Sequence, residues 1–253
     1  MLRAILVSVS LVSLSLLATT VGYAQTAPST SEIAAYNGLH RAAQSGDAAE
    51  IRRLAAAGLD VNARDGHGRT PAHVAAFASN DEALRALAKA GADMNALEGQ
   101  DYDVVAIAAV ADDPDLMSLA IELGNDPKLT TSRYAGTALI AAAHLWRVEV
   151  VRRLIAAGAP LDHINDLGWT ALMEAVVLGD GGIDHQKVVR LLLRAGADSS
   201  IADRDGITRF PTPAPAVTRQ WRIFWKGPAE SFCLWDVGGP HNALKTVLSG
   251  KLS

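Results

Sequence analysis

The chain has 253 residues, a net charge of −4 and one cysteine, Cys233. A single cysteine excludes an internal disulfide and leaves no thiolate zinc site. Acidic and basic residues are mixed along the chain, so no basic stripe is available for phosphates and nucleic acid is excluded as a partner.

The first predicted element is a leader. Met1-Leu-Arg3 opens it, an apolar run broken only by serines follows from Ala4 to Ala18, and Thr19 to Ala24 closes it before Gln25. A basic start, an apolar core and a small-residue exit describe a secretory signal peptide over residues 1–24, with cleavage expected after Ala24 and a periplasmic or secreted destination. The alternative is an uncleaved anchor, because Leu2 to Tyr23 approaches the ~20 apolar residues that span a bilayer. Only in that case is the membrane a partner. Residues 25–35 read as a linker or N-terminal cap.

Beyond Tyr36 the chain is periodic. One glycine phrase recurs at Gly58-Leu-Asp-Val-Asn62, Gly91-Ala-Asp-Met-Asn95, Gly124-Asn-Asp-Pro-Lys128, Gly158-Ala-Pro-Leu-Asp162 and Gly196-Ala-Asp-Ser-Ser200, in steps of 33, 33, 34 and 38 residues. A second anchor keeps the same beat: Asn37-Gly-Leu-His40, Thr70-Pro-Ala-His73, Asp103-Val-Val-Ala106, Thr137-Ala-Leu-Ile140 and Thr170-Ala-Leu-Met173 precede their glycines by 21 to 26 residues. Two registers with one period mark a stacked repeat protein.

Thr70 before Pro71 is a helix start, since the hydroxyl caps free N–H groups and proline needs none in the first turn. The first helix is predicted over about Pro71 to Ala78, with Ala72, Ala75 and Ala76 small enough for close neighbours. Asn80-Asp-Glu82 restarts the chain, Ala83, Leu84, Leu87 and Ala88 form an apolar stripe, and Gly91 ends the second helix. The same stripe recurs as Ile51 and Leu54, Leu116, Leu119 and Ala120, Val150, Val151 and Leu154, and Val188, Val189 and Leu192. The third repeat, with Asp103-Val104 for Thr-Pro and Gly124-Asn-Asp-Pro127 for the usual phrase, is expected to be irregular and less stable. In the fifth, Leu178 to His185 reads as a solvated loop inserted between the helices.

On these two registers the chain resembles the ankyrin-repeat family, and Asp65-Gly-His-Gly-Arg-Thr-Pro-Ala-His-Val-Ala-Ala76 is its nearest copy of the family's signature turn and first helix. The resemblance covers about Tyr36 to Thr208. It implies an all-α repeat solenoid over residues 36–208, built from about five units of helix-turn-helix plus a β-hairpin or loop. It also implies a non-catalytic protein-binding scaffold without cofactor or metal, expected as a monomer, with an enzyme or small-ligand-binding protein as the weaker alternative. Trp146 stands where the family usually has glycine between the helices, either filling a gap or anchoring a partner. Exported bacterial proteins that look like this suggest, by analogy, a periplasmic enzyme such as a catalase, or a toxin to be neutralised, as the partner.

After Thr208 the pattern stops. Residues 209–253 open on Arg209-Phe-Pro-Thr-Pro213 and hold three of the five tryptophans. Back-translated in a shifted frame, with choices among synonymous codons, Thr208 to Trp225 gives a string that starts Thr-Pro-Leu and continues like a repeat. A frameshifted remnant of a sixth repeat is therefore expected, and a Pro-rich linker with an aromatic tail is the alternative.

Candidate chemistry is sparse. His40 and His73 occupy the family's histidine slot, where the resemblance implies bonds that tie one repeat to the next. His163, Asp184 and His185 have neither the paired spacing nor the cysteines of a zinc site. Gly179-Asp-Gly-Gly182 lacks the lysine and hydroxyl of a phosphate loop, and no Gly-x-Ser-x-Gly elbow is present. The resemblance places hairpin tips at Arg64 to Arg69, Leu97 to Tyr102, Thr131 to Gly136 and Ile164 to Trp169. The outward positions of the first helices fall at Val74, Phe77, Ile107, Val110, His144, Glu174 and Val177. The partner-binding residues expected on these surfaces are Arg64, His67, Arg69, Phe77, Tyr102, Arg133, Tyr134, His144 and Trp169, rich in the Tyr, Trp and Arg that dominate interface energies.

Overall fold

The computed structural model describes residues 25–179, 181–208, 223–226 and 232–235. The expected leader lies outside the described residues, as does the expected out-of-frame tail apart from two strands. Among the described residues no helix is long and apolar enough to cross a membrane.

Five helix pairs follow the two sequence registers: α2 (Gly38–Ser45) and α3 (Ala48–Ala56), α4 (Pro71–Phe77) and α5 (Asp81–Lys89), α6 (Val104–Ala111) and α7 (Pro114–Glu122), α8 (Ala138–His144) and α9 (Val148–Ala156), and α10 (Ala171–Val177) and α11 (Ile183–Ala195). A short helix, α1 (Thr30–Ala35), precedes them. First helices pack on first helices and second on second, from α2 to α10 and from α3 to α11. This is the expected all-α repeat solenoid.

Small residues set the spacing of the inner row. Ala75, Ala106, Ala108, Ala109, Ala142, Ala143 and Ala171 are completely or almost completely buried, so neighbouring first helices meet nearly backbone to backbone. The larger apolar side chains lie along the outer row: Ile51, Leu84, Leu87, Val150, Val151 and Leu192 are fully buried. Each buried leucine contributes roughly 1.5–3 kcal/mol, and that burial is shared between the partner helix of the same repeat and the helices of the next. No pair can bury its face alone.

The helix starts use short side chains as expected. Thr137 and Thr170 accept from the N–H groups of Ile140 and Met173, each at 3.3 Å. In the third repeat Asp103 does the same work, accepting from Ala106 N–H at 2.7 Å. The expected irregularity there is confined to chemistry, since Asn125 is buried and ties the helix start down. It accepts from Val105 N–H at 3.1 Å and donates to Asp103 at 2.8 Å and to Asn95 at 3.1 Å.

The recurring glycine phrase is a bonding device. Its glycine is left-handed in all five copies, with φ between 82° and 105°, the conformation that glycine adopts without strain. Its aspartate closes a turn, as Asp93 accepts from Asn95 N–H at 2.9 Å. The asparagine two residues on reaches the next repeat, with Asn62 accepting from Asp93 N–H and Asn95 from Asp126 N–H, both at 2.8 Å.

One sequence expectation is corrected. The stretch Leu178 to His185 is not a solvated loop throughout, because α11 begins at Ile183 and His185 is buried. Most of the added length extends a helix. Trp146 has φ +56° and packs its ring edge-on against His185 of the extended helix, centroids 3.9 Å apart, while staying 37% exposed.

Two β-hairpins complete the described residues. β1 (Thr130–Thr131) pairs antiparallel with β2 (Gly136–Thr137) in the tip before α8. β3 (Ile223–Lys226) pairs antiparallel with β4 (Phe232–Trp235).

Candidate partner-binding groove

The hairpin tips are joined to one another by backbone hydrogen bonds. Gly99 N–H donates to His67 O at 2.8 Å, Ser132 N–H to Asp101 O at 2.7 Å and Asp166 N–H to Tyr134 O at 2.7 Å. Each turn is closed by one polar side chain. Asp65 accepts from the N–H groups of His67 and Arg69, Glu98 from those of Gln100 and Tyr102, Asn165 from those of Leu167 and Trp169, and Asp203 from those of Asp205 and Ile207. This spacing of Asp, Glu and Asn was not singled out in the sequence, although it keeps the period of the glycines.

The first tips are largely occupied by the chain itself. Arg69, expected at the partner surface, is completely buried: it pairs with Glu32 of α1 and, at 2.7 Å, with Asp65. Tyr36 donates to Asp65 at 2.8 Å. Burial pushes the Asp65 carboxyl up, but the bonds from Tyr36 and Arg69 outweigh it and hold its pKa at about 2. Hydrogen bonds from Ser29, then from Arg69, hold that of Glu32 at about 2 as well. His67 is exposed but lies 3.0 Å from Glu32. Arg64 donates to Gly68 O at 2.7 Å and Leu97 O at 2.6 Å, clasping two tips. Farther along, Gln100 donates to Thr26 at 3.1 Å, so residues 26–36 run as an arm across the tips of the second and third repeats.

Other expected positions are also covered. Val74, Ile107 and Glu174 were expected to face outward but are buried, at 0%, 1% and 4% exposure. Phe77 is half-buried and packs against the core. Tyr102 is buried as well, with its phenol pKa pushed up by burial.

Between the third and fifth repeats the tips stand apart from the helices. A concavity with about 90 Å³ of room, open to solvent, is lined there by Tyr102, Tyr134 and His144 of the expected set. Val110, Ile140, Ala141, Leu145 and Leu167 supply its apolar walls. Glu174 forms a buried polar floor, accepting from Asn165 Nδ2 at 3.1 Å and lying 3.0 Å from His144 Nδ1. The concavity is held open by β1 and β2 on one side and by the Asn165 turn on the other. His163 adds a clasp, its Nε2–H donating to Ala135 O at 2.6 Å.

The structure therefore gathers Tyr102, Tyr134 and His144 and leaves the other six elsewhere. Arg133 is exposed on the same hairpin but lines a neighbouring hollow with Thr26 and His67. Trp169, half-buried, closes the turn in which Asn165 sits. Glu174, Asn165 and Leu167 were missing from the expected site. Glu174 stands among the outward positions expected of the first helices, in the series Arg41, Val74, Ile107, Ala141, Glu174 that keeps the repeat spacing, but not among the expected binding residues.

The two histidines of the family slot serve as bolts. His40 Nε2 lies 3.0 Å from Arg69 O. His73 is fully buried; its Nδ1 accepts from Thr70 N–H at 3.1 Å, so Nε2 carries the proton and donates to Tyr102 O at 3.1 Å. Among the described residues no cluster of His, Cys, Asp and Glu could hold a metal ion.

A family model described as ankyrin repeats in three copies matches residues 15–98 and 105–203. The ankyrin repeat protein YahD of Escherichia coli K12 is 33% identical over 168 residues, which are 66% of this chain and 83% of YahD. Among solved structures, an ankyrin repeat domain from Acinetobacter baumannii AYE is 43% identical with a TM-score of 0.63, covering 67% of this chain and 86% of that one. A second solved ankyrin repeat protein is 31% identical with a TM-score of 0.62, over 68% and 89%.

Proposed function

We propose that this chain, which belongs to the ankyrin-repeat family, is an exported, non-catalytic scaffold that binds one partner protein in the groove of its third to fifth repeats. The observation that carries this reading is the concavity itself. In the first two tips Arg69 is buried, Arg64 clasps the neighbouring tip and His67 stands beside Glu32 of the arm, whereas Tyr134, Leu167 and Val110 line an open, mostly apolar hollow. An exposed apolar patch framed by polar tips is the usual mark of a protein interface. Such a site needs no cofactor, and a single chain supplies all of it.

Export rests on the leader at residues 1–24 and on the small-residue exit at Ala24, and it confines the partner to the cell envelope or its surroundings. Two partner classes fit: a periplasmic enzyme such as a catalase, and a toxin to be neutralised.

The test is capture from a periplasmic extract of the host by the chain beginning at Gln25, with mass spectrometry to identify what is retained. One near-stoichiometric protein is expected, with binding weakened at least tenfold by Tyr134→Ala together with Leu167→Ala at an unchanged melting temperature. A partner held equally well by the double variant, or no partner at all for the folded chain, defeats the reading.

A further inference from the structure

We infer that the groove recognises its partner through a lysine or arginine side chain, which enters the concavity along its apolar wall and ends against Glu174. The inference rests on the reading of the groove as a partner site and names the chemistry of what fills it.

The charge pattern points this way. Apart from the titratable His144, Glu174 is the one residue lining the concavity that carries a formal charge. Its side chain is held at the floor by Asn165 at 3.1 Å and by His144 at 3.0 Å. Two donors leave acceptor capacity unused on a carboxylate, which offers about four lone-pair sites. A buried carboxylate is costly to desolvate, and a cation brought to it gains a charge-assisted hydrogen bond.

The walls suit the stem of the same side chain. Val110, Ile140, Ala141 and Leu145 offer an apolar channel for the methylenes of lysine or arginine, which bury their stems while the head seeks a polar partner. Tyr102 and Tyr134 also line the hollow, and aromatic rings attract cations. An acidic side chain would meet Glu174 with like charge, and a purely apolar one would shut water away from its remaining lone pairs without replacing the bonds lost. Arg133, the nearest cation on the hairpin, lines the neighbouring hollow and does not fill this one.

The test uses the isotopically labelled chain from Gln25 onward and four acetylated, amidated peptides of sequence Ala-Leu-Xaa-Leu-Ala, with Xaa as lysine, arginine, norleucine or glutamate, followed by NMR. The lysine and arginine peptides are expected to shift amide resonances of residues 140–145 and 165–174, with at least tenfold tighter binding than the norleucine peptide. In Glu174→Gln that preference should vanish. Norleucine binding as tightly as lysine, no shift with any peptide, or a lysine preference that survives Glu174→Gln each overturns the inference. If Glu174→Gln does not fold, the comparison of the four peptides on the unaltered chain decides alone. Retention of the captured partner by folded Glu174→Gln at full affinity, with loss in the Tyr134 and Leu167 double variant, sinks the cationic anchor and leaves the groove reading intact.

Discussion

His73 joins two repeats through a neutral ring, and that neutrality ties stability to pH. Burial lowers its pKa from 6.5 to about 4. Because the folded value lies below the unfolded one, the unfolded chain binds more protons between those limits. The contribution of His73 is complete above pH 6.5 and is lost as the pH falls towards 4, up to roughly 3 kcal/mol at ~1.4 kcal/mol per unit. Burial pushes the carboxyls of Asp103 and Glu98 up, which works in the opposite direction. His73→Gln should therefore have a lower melting temperature at pH 7 and a flatter decline from pH 6.5 to 4 than the unaltered chain. Equal slopes in a thermal melt series would contradict the neutral-ring account. The role of this histidine was legible in the sequence because its slot recurs with the repeat. That of Arg69 was not: it sits in a tip, and its two carboxylate partners come from four and thirty-seven residues away.

At the scale of the element, the tips act as one ladder, and Gly99 shows what their spacing requires. A Cβ on Gly99 would stand 2.5 Å from His67 O, which accepts the Gly99 N–H. Gly99→Ala should push the second and third tips apart and destabilise the chain by about 1–3 kcal/mol, the usual cost of overpacking. A melting temperature within one degree of the parent would refute this. Helix pairs, their starts and their glycine stops were all legible, because capping and left-handed closure are local chemistry. The insertion before α11 misled because its glycines and aspartates match a loop, while its helical outcome depends on a distant packing partner. Gly179 leaves room for the buried His185 ring, which a Cβ there would approach to 2.9 Å, and Trp146 covers that ring from the preceding repeat.

The whole molecule is a stack with one end capped by its own arm and an open hollow farther along. Residues 26–36 cross the tips of the second and third repeats through Thr26, Glu32 and Tyr36, so Arg69 is withdrawn from the surface and the exposed His67 stands beside Glu32. Sequence alone gave the period, and with it the fold. It could not say which tips are free, since that depends on contacts between residues as far apart as Thr26 and Gln100.

Hydrogen exchange on the chain bound to its captured partner tests this division most directly. Protection gained on binding should fall on residues 131–145 and 165–178, around the concavity, and leave the second helices and residues 26–36 unchanged. Protection centred on α9 and α11, or on the arm and the tip from Arg64 to Arg69, would contradict the assignment of the groove as the partner site.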